Sequence, residues 1–393
     1  MPTPVQGLVP QEELLGTIPP QNCIRIGLPA ESCCCEKRVP LTPEGVAMLF
    51  AAGHRVYIES GVGTGISYSD INYTDAGAVV ASREDVYRCD VVLRMTPLNL
   101  QEVHLIRPGA ALFTMFQPQY QKEAVIKELI VRKVMAVAID RIADDQGRHP
   151  FADLLAEIDG QAAVMVAAGL MGNRSGGKGV LMGGVSGVPS CEVVVIGSGR
   201  TGCSAARLAH AMGALVRVFD TDFYRLQEVR KIVGNALFTS NMHPNVLRNA
   251  LRSADVVIGT EVFIGNKLTE ESVALMKQGA LLFDLCMDRG GCFESSRCGD
   301  EPCDCVYENH GVQHYCLSSV GSAVARTASM ALSNLFVPFI LGMERLNNLS
   351  AEVKGSDALR HGLYLYGGHL FDKELCRRFS LPYYDMRLFL SMF

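Results

Sequence analysis

Short apolar runs alternate with amphipathic stretches along most of the chain. Cys23–Leu28 reads as a strand. In the following LTPEGVAMLFAAG, Thr42 sits at a helix N-cap, Pro43 takes the first helical position and Gly53 ends the helix. Arg55–Ile58 is the next strand, and the pattern repeats with a strand over Tyr73–Val80, a helix around Ser82–Tyr87 and a strand over Val91–Met95. A strand at Ala111–Phe116, a helix at Gln121–Val131 and a strand at Met135–Ile139 continue the series. Such βα alternation predicts a parallel sheet. Ala152–Met171 keeps helical spacing with few breakers and predicts one long helix; the glycine-rich Asn173–Ser190 is an irregular connector without a P-loop pattern. A second series of strands starts near Val193, Val216, Ala236, Val256 and Leu281, with helices between. Val320–Met343 predicts another long apolar helix, returning to the first unit. The tail from Gly362 is aromatic and apolar, which predicts packing or a subunit contact.

One stretch carries a specific chemistry. In EVVVIGSGRTGCSAARLAHAMGALVRVFDTD, an apolar run leads into Gly197, Gly199 and Gly202 at G-x-G-x-x-G spacing, then a helix, a second apolar run and Asp220. Gly197 permits the tight turn, Gly199 lets backbone N–H groups approach a pyrophosphate, and Gly202 lets helix and strand pack closely. The helix N-terminus adds unpaired N–H groups and a positive dipole end. Asp220 suits a ribose with a free 2′-hydroxyl, hence NAD over NADP, while Arg225 offers a cation to a 2′-phosphate and argues the other way. Ser198, Arg200 and Thr201 share the turn, and Ser240, in the next strand region, completes the expected cofactor set. The predicted fold class is α/β with two Rossmann-like domains. A discontinuous first domain, residues 1–165 and 320–393, would bind substrate, and an NAD(H)-binding domain, residues 166–319, is inserted into it through long helices.

Composition narrows the function classes. A net charge of −5 with no Lys/Arg run argues against a nucleic-acid partner. The sequence shows no unbroken apolar stretch of about 18 residues, so no membrane span is expected. The start, MPTPVQGLVPQEELL, lacks a basic n-region and an apolar core, and the expectation is a cytoplasmic protein, with a homo-oligomer as its assembly. The 14 cysteines then read as reduced thiols. Cys292, Cys298, Cys303 and Cys305 offer four thiols for zinc, but they lack a paired C-x-x-C, so loop cysteines and no metal are the reading.

The chain resembles the alanine dehydrogenase family, which shares its fold with the NAD(H)-binding part of proton-translocating transhydrogenase. The resemblance is carried by GLPAE…EKRVPLTPEGV, AGHRVYIESGVG, GGKGVLMGGVSGVPS, VVIGSGRTG, FDLCMDRGGCFESSR, HYCLSSV and ARTASMALSN, spread over most of residues 23–370. It implies oxidative deamination of L-alanine to pyruvate and ammonia with NAD, and a small amino or keto acid as substrate. By resemblance, Arg38 matches the arginine that grips the substrate carboxylate, and Asp288, before Gly290 and Gly291, matches the family's aspartate. The carbonyl-binding lysine falls on Thr96, with Arg94 the nearest cation; the catalytic histidine falls on Gln117; an asparagine falls on Ser319.

These departures bear on chemistry. Deamination needs a group that titrates near neutral pH and a cation that polarises the carbonyl. Threonine carries no charge and glutamine does not titrate, and losing one such group costs roughly 10²–10⁴ in rate. His149, in DDQGRHPFADL, is the substitute nearest to hand, though a lone loop histidine is more often solvated. Three readings follow: an alanine dehydrogenase-like oxidoreductase with altered substrate or activity, hydride transfer between nicotinamides that needs no proton relay, and an NAD(H)-binding protein without catalysis.

Overall fold

The computed structural model describes residues 23–263, 267–297, 306–317, 319–343, 353 and 355–391. Fifteen strands form among these residues. They are β1 Arg25–Leu28, β2 Arg55–Glu59, β3 Val79–Ala81, β4 Val91–Leu93, β5 Ala111–Thr114, β6 Met135–Ala138, β7 Glu192–Ile196, β8 Leu215–Asp220, β9 Phe238–Asn241, β10 Val256–Gly259, β11 Leu281–Asp284, β12 Val306–Asn309, β13 Val312–Tyr315, β14 Leu363–Tyr366 and β15 His369–Leu370. They make an eight-stranded sheet, β15-β14-β6-β5-β4-β1-β2-β3, and a seven-stranded sheet, β12-β13-β11-β10-β7-β8-β9. Both sheets are parallel except at one edge, where β14 and β15 in the first and β12 in the second run antiparallel.

The central strands are buried on both faces, so their near-continuous apolar sequence is what a covered parallel sheet requires. Alternate residues feed two layers. Val193, Val195, Val216 and Val218 face Ala162, Ala205, Ala206 and Ala209, while Val194, Ile196 and Val257 face Leu247 and Leu251. The helix Pro150–Leu170 serves two cores. Phe151 and Leu155 enter the core under the first sheet, and Ala162–Met171 packs against the second. Its Gly160 is the point of closest approach to the helix Arg200–Ala211, since a Cβ there would collide with the Thr201 carbonyl.

Several expectations need correction. The strand expected over Tyr73–Val80 is divided: a helix, Asp70–Asp75, is capped by Ser69, and the strand is only β3. The strand expected from Ala236 begins at Phe238. By length and composition alone the segment Val320–Leu341 would suffice to cross a membrane. Here it is a 3₁₀ turn, Val320–Val324, followed by the helix Ala325–Leu341, whose Leu332, Phe336, Val337 and Ile340 fill the first core. The aromatic tail supplies β14 and β15, a role its sequence did not reveal. Cys298, Cys303 and Cys305 of the weighed zinc set lie outside the described residues.

Candidate active site: a dinucleotide turn facing a carboxylate cleft

The second sheet switches direction at β7, with β8 and β9 on one side and β10 and β11 on the other. A crevice opens at such a switch point, outside the carboxyl ends of the strands. The glycine turn lies there. Gly197 adopts φ +97°, and a Cβ on Gly202 would collide with the Gly197 carbonyl, so strand and helix meet as closely as backbones allow. Above Gly199 the nearest heavy atom to a Cβ would be Glu261 Oε2, 3.8 Å away, so no backbone crowds the turn there. Ser198 donates its backbone N–H and its hydroxyl to Asp220 Oδ2, both at 2.6 Å, and Asp222 N–H donates to Oδ1 at 2.9 Å. Asp220 thereby anchors the turn, and its Oδ1 keeps a lone pair for a ribose hydroxyl. These residues fit a dinucleotide.

The remaining cofactor candidates scatter around this turn. Arg200 points to the surface and pairs with Asp153 at 2.5 Å. Thr201 is used in helix packing through its carbonyl. Ser240 donates to the Asn241 carbonyl at 3.0 Å and lines a cavity of about 700 Å³ with Thr221 and Asn241. Arg225 is not free for a phosphate: Nη1 lies 2.6 Å from both carboxylate oxygens of Glu261.

The first sheet has its own switch point, between β1 and β4, and charged side chains fill it. Glu31, just past β1, accepts from Arg94 Nε at 3.0 Å, Met95 N–H at 2.6 Å and the Thr96 hydroxyl at 2.5 Å. Arg94 also meets Glu102 and the Tyr87 hydroxyl, each at 2.5 Å. Arg94, the cation nearest to Thr96 in sequence, is thus committed to this cluster. Its guanidinium is buried and held by two carboxylates, and Thr96 is a partner in the same cluster. Burial pushes the Glu31 carboxyl above its usual range, with the Arg94 charge opposing the shift.

Arg38 is also buried. Its Nε and Nη2 donate to Glu36 at 2.8 and 2.6 Å. The serines of the returning segment position the loop: Lys37 N–H donates to Ser322 Oγ and Val39 N–H to Ser329 Oγ, each at 2.8 Å. Gly321 N–H in turn donates to Asp159 Oδ1 at 2.7 Å, which fixes Asp159 close enough to Arg38 to feel its charge. The turn Met287–Arg289 packs on the turn Pro118–Tyr120, and this brings Asp288 to the Gln117 loop. Asp288 feels the like charges of Asp140 and Asp159, and burial pushes Asp159 and Asp288 up to about 6. Asp140, which accepts from Phe116 N–H at 2.8 Å, is raised as well by burial.

Gln117 has φ +38°, a left-handed conformation that costs a non-glycine residue about 1–3 kcal/mol when strained. It is buried, and its Oε1 finds no hydrogen-bond partner among the described residues. A strained, buried residue with an open acceptor is where a ligand N–H would be expected. His149 is exposed at the start of the helix Pro150–Leu170, away from this role. Asp159 was missed in the sequence. Its only signal was an acid next to Gly160, and Asp153 and Glu157 of the same helix masked it.

The N-terminal domain description of alanine dehydrogenase/PNT matches residues 27–158, and the C-terminal domain description matches residues 163–373. Alanine dehydrogenase 2 of Staphylococcus aureus (strain N315) is 32% identical over 365 residues, covering 92% of this chain and 98% of that protein. A solved L-alanine dehydrogenase superposes with a TM-score of 0.80 at 29% identity, over 91% of this chain and 99% of the other. The transhydrogenase from Sinorhizobium meliloti superposes with a TM-score of 0.71 at 24% identity, over 89% and 99% of the two chains, a likeness of fold. With both domains matched from the first parallel strand to the closing hairpin, the chain belongs to the alanine dehydrogenase/PNT family.

Proposed function

We propose that this chain binds NAD(H) and interconverts a small amino acid and its keto acid, with buried carboxylates handling the proton. The bound nicotinamide supplies the hydride acceptor or donor. The observation that carries the reading is Asp159, held by Gly321 N–H at 2.7 Å, buried, and near enough to Arg38 and Asp288 for their charges to act on one another. A carboxyl held near 6 is ionised at neutral pH and accepts a proton from an amine or a water, the work histidine does elsewhere. Arg38 meets the substrate carboxylate with the guanidinium edge that Glu36 leaves over. Gln117 accepts a hydrogen bond from a ligand N–H through Oε1.

The test is NADH formation from NAD with a panel of small L-amino acids, alanine first, followed by absorbance. Turnover that rises with pH through about 6 and is lost in Arg38→Ala is the expected result. A second reading, NAD(H) binding without catalysis, is favoured by the closed pairing of Arg38 with Glu36 and of Thr96 with Glu31. Tight NADH binding with no turnover across the panel would favour it.

A further inference from the structure

The ion pair between Arg225 and Glu261 spans the dinucleotide crevice. Arg225 stands on the helix Phe223–Val233 that follows β8, and Glu261 follows β10. The glycine turn after β7 lies between them, because β7 is flanked by β10 and β8. The Glu261 carboxylate reaches across this turn, with Oε2 3.8 Å from where a Gly199 Cβ would be, and grips Arg225 Nη1 with both oxygens at 2.6 Å. Glu261 is itself held from behind, since the Cys292 thiol donates to its carbonyl at 3.1 Å. Asp222 adds a second acid, 3.8 Å from Arg225 Nε, and Asp220 is near enough to act on the same guanidinium. One cation therefore faces three carboxylates in the corner where the adenosine ribose belongs.

We propose that Glu261 is a specificity determinant that keeps Arg225 neutralised and so selects NAD(H) over its 2′-phosphorylated form. An arginine next to a ribose-binding acid would otherwise attract a 2′-phosphate through charge-assisted hydrogen bonds. With Glu261 in place, that phosphate must displace a carboxylate from the guanidinium and also approach Asp220. The selection thus comes from a residue 36 positions beyond the arginine, on the opposite wall of the crevice. The inference rests on the reading that this domain binds a dinucleotide.

The experiment is fluorescence titration of the full chain with NADH and with NADPH, in wild type, Glu261→Gln, Arg225→Ala and the double variant. Glu261→Gln keeps size and removes charge at a partly exposed site, and a thermal melt checks that it folds like wild type. The expected result is an NADPH affinity increase of about three- to tenfold in Glu261→Gln, with NADH binding not weakened and the gain absent in the double variant. An unchanged NADPH-to-NADH ratio in Glu261→Gln overturns the inference while leaving dinucleotide binding intact. A wild-type chain that binds neither nucleotide overturns the reading beneath it as well.

Discussion

The two sheets share a topology and use their crevices differently. In the second sheet the switch point is lined by glycines, with one exposed ion pair, Arg225–Glu261, crossing it. In the first it is plugged by Arg94, Glu31, Glu102 and Thr96, all hydrogen-bonded to one another or to Tyr87. A crevice binds a ligand only where its polar groups are not already satisfied by the protein. The unmet demand lies instead at Asp159 and Asp288, whose carboxyls are raised by burial, and at Gln117, whose Oε1 finds no partner among the described residues; these are the groups on which the proposed chemistry rests.

The strongest way to break this contrast is to disturb the plug. Arg94→Met leaves Glu31 buried without its cation, while Glu102 keeps Arg83 at 2.5 Å, and an uncompensated buried charge costs about 3–5 kcal/mol. Urea denaturation should show that loss. A variant as stable as wild type but catalytically dead would instead make Arg94 part of the reactive site. Next in size is Gly202→Ala, which drives a methyl group into the Gly197 carbonyl. Overpacking of this kind costs about 1–3 kcal/mol, and NADH affinity should fall with it while the first sheet keeps its amide-exchange protection. Unaltered NADH binding would mean the turn is not where the pyrophosphate sits.

The smallest effect sharpens the comparison through pH. Asp159 is raised from 3.8 to about 6 in the folded protein, so the folded state holds its proton more tightly than the unfolded chain does. Its stability contribution is present below the unfolded value and is lost as pH rises through the folded one. Asp159→Asn keeps the acceptor for Gly321 N–H and removes the titration. It should flatten stability between pH 4 and 6 and leave the variant more stable than wild type at pH 7. Parallel stability profiles for variant and wild type would show that Asp159 is not perturbed.

Much of the molecule was legible in the sequence because the signals are local. The strand, glycine turn, helix and acid of residues 192–220 lie within one βαβ unit, and their conformational demands are written in residue type. The cleft was legible only in part. Arg38 and Asp288 followed from resemblance, but the fate of Thr96 depends on Glu31, 65 residues away, and that of Asp159 on Gly321, 162 residues away. Charge neutralisation is a property of pairs, and neither Arg94 nor Arg225 announces its partner. Tyr73–Val80 misled for a local reason: Ser69 and Asn72 form a capping box, and it starts a helix where the apolar run suggested a strand.

The closing hairpin has a consequence for synthesis. The edge of the first sheet at β6 is covered by β14, a strand that begins 225 residues after β6 ends. While the ribosome makes the strands of the second sheet, the backbone of Met135–Ala138 stays unpaired on that side, a template for any other extended chain nearby. The second sheet can form as soon as its last strand emerges; the sheet that started first must finish last. A nascent chain stalled before residue 363 would therefore carry one complete unit and one sticky half, and chaperone demand should peak in that interval.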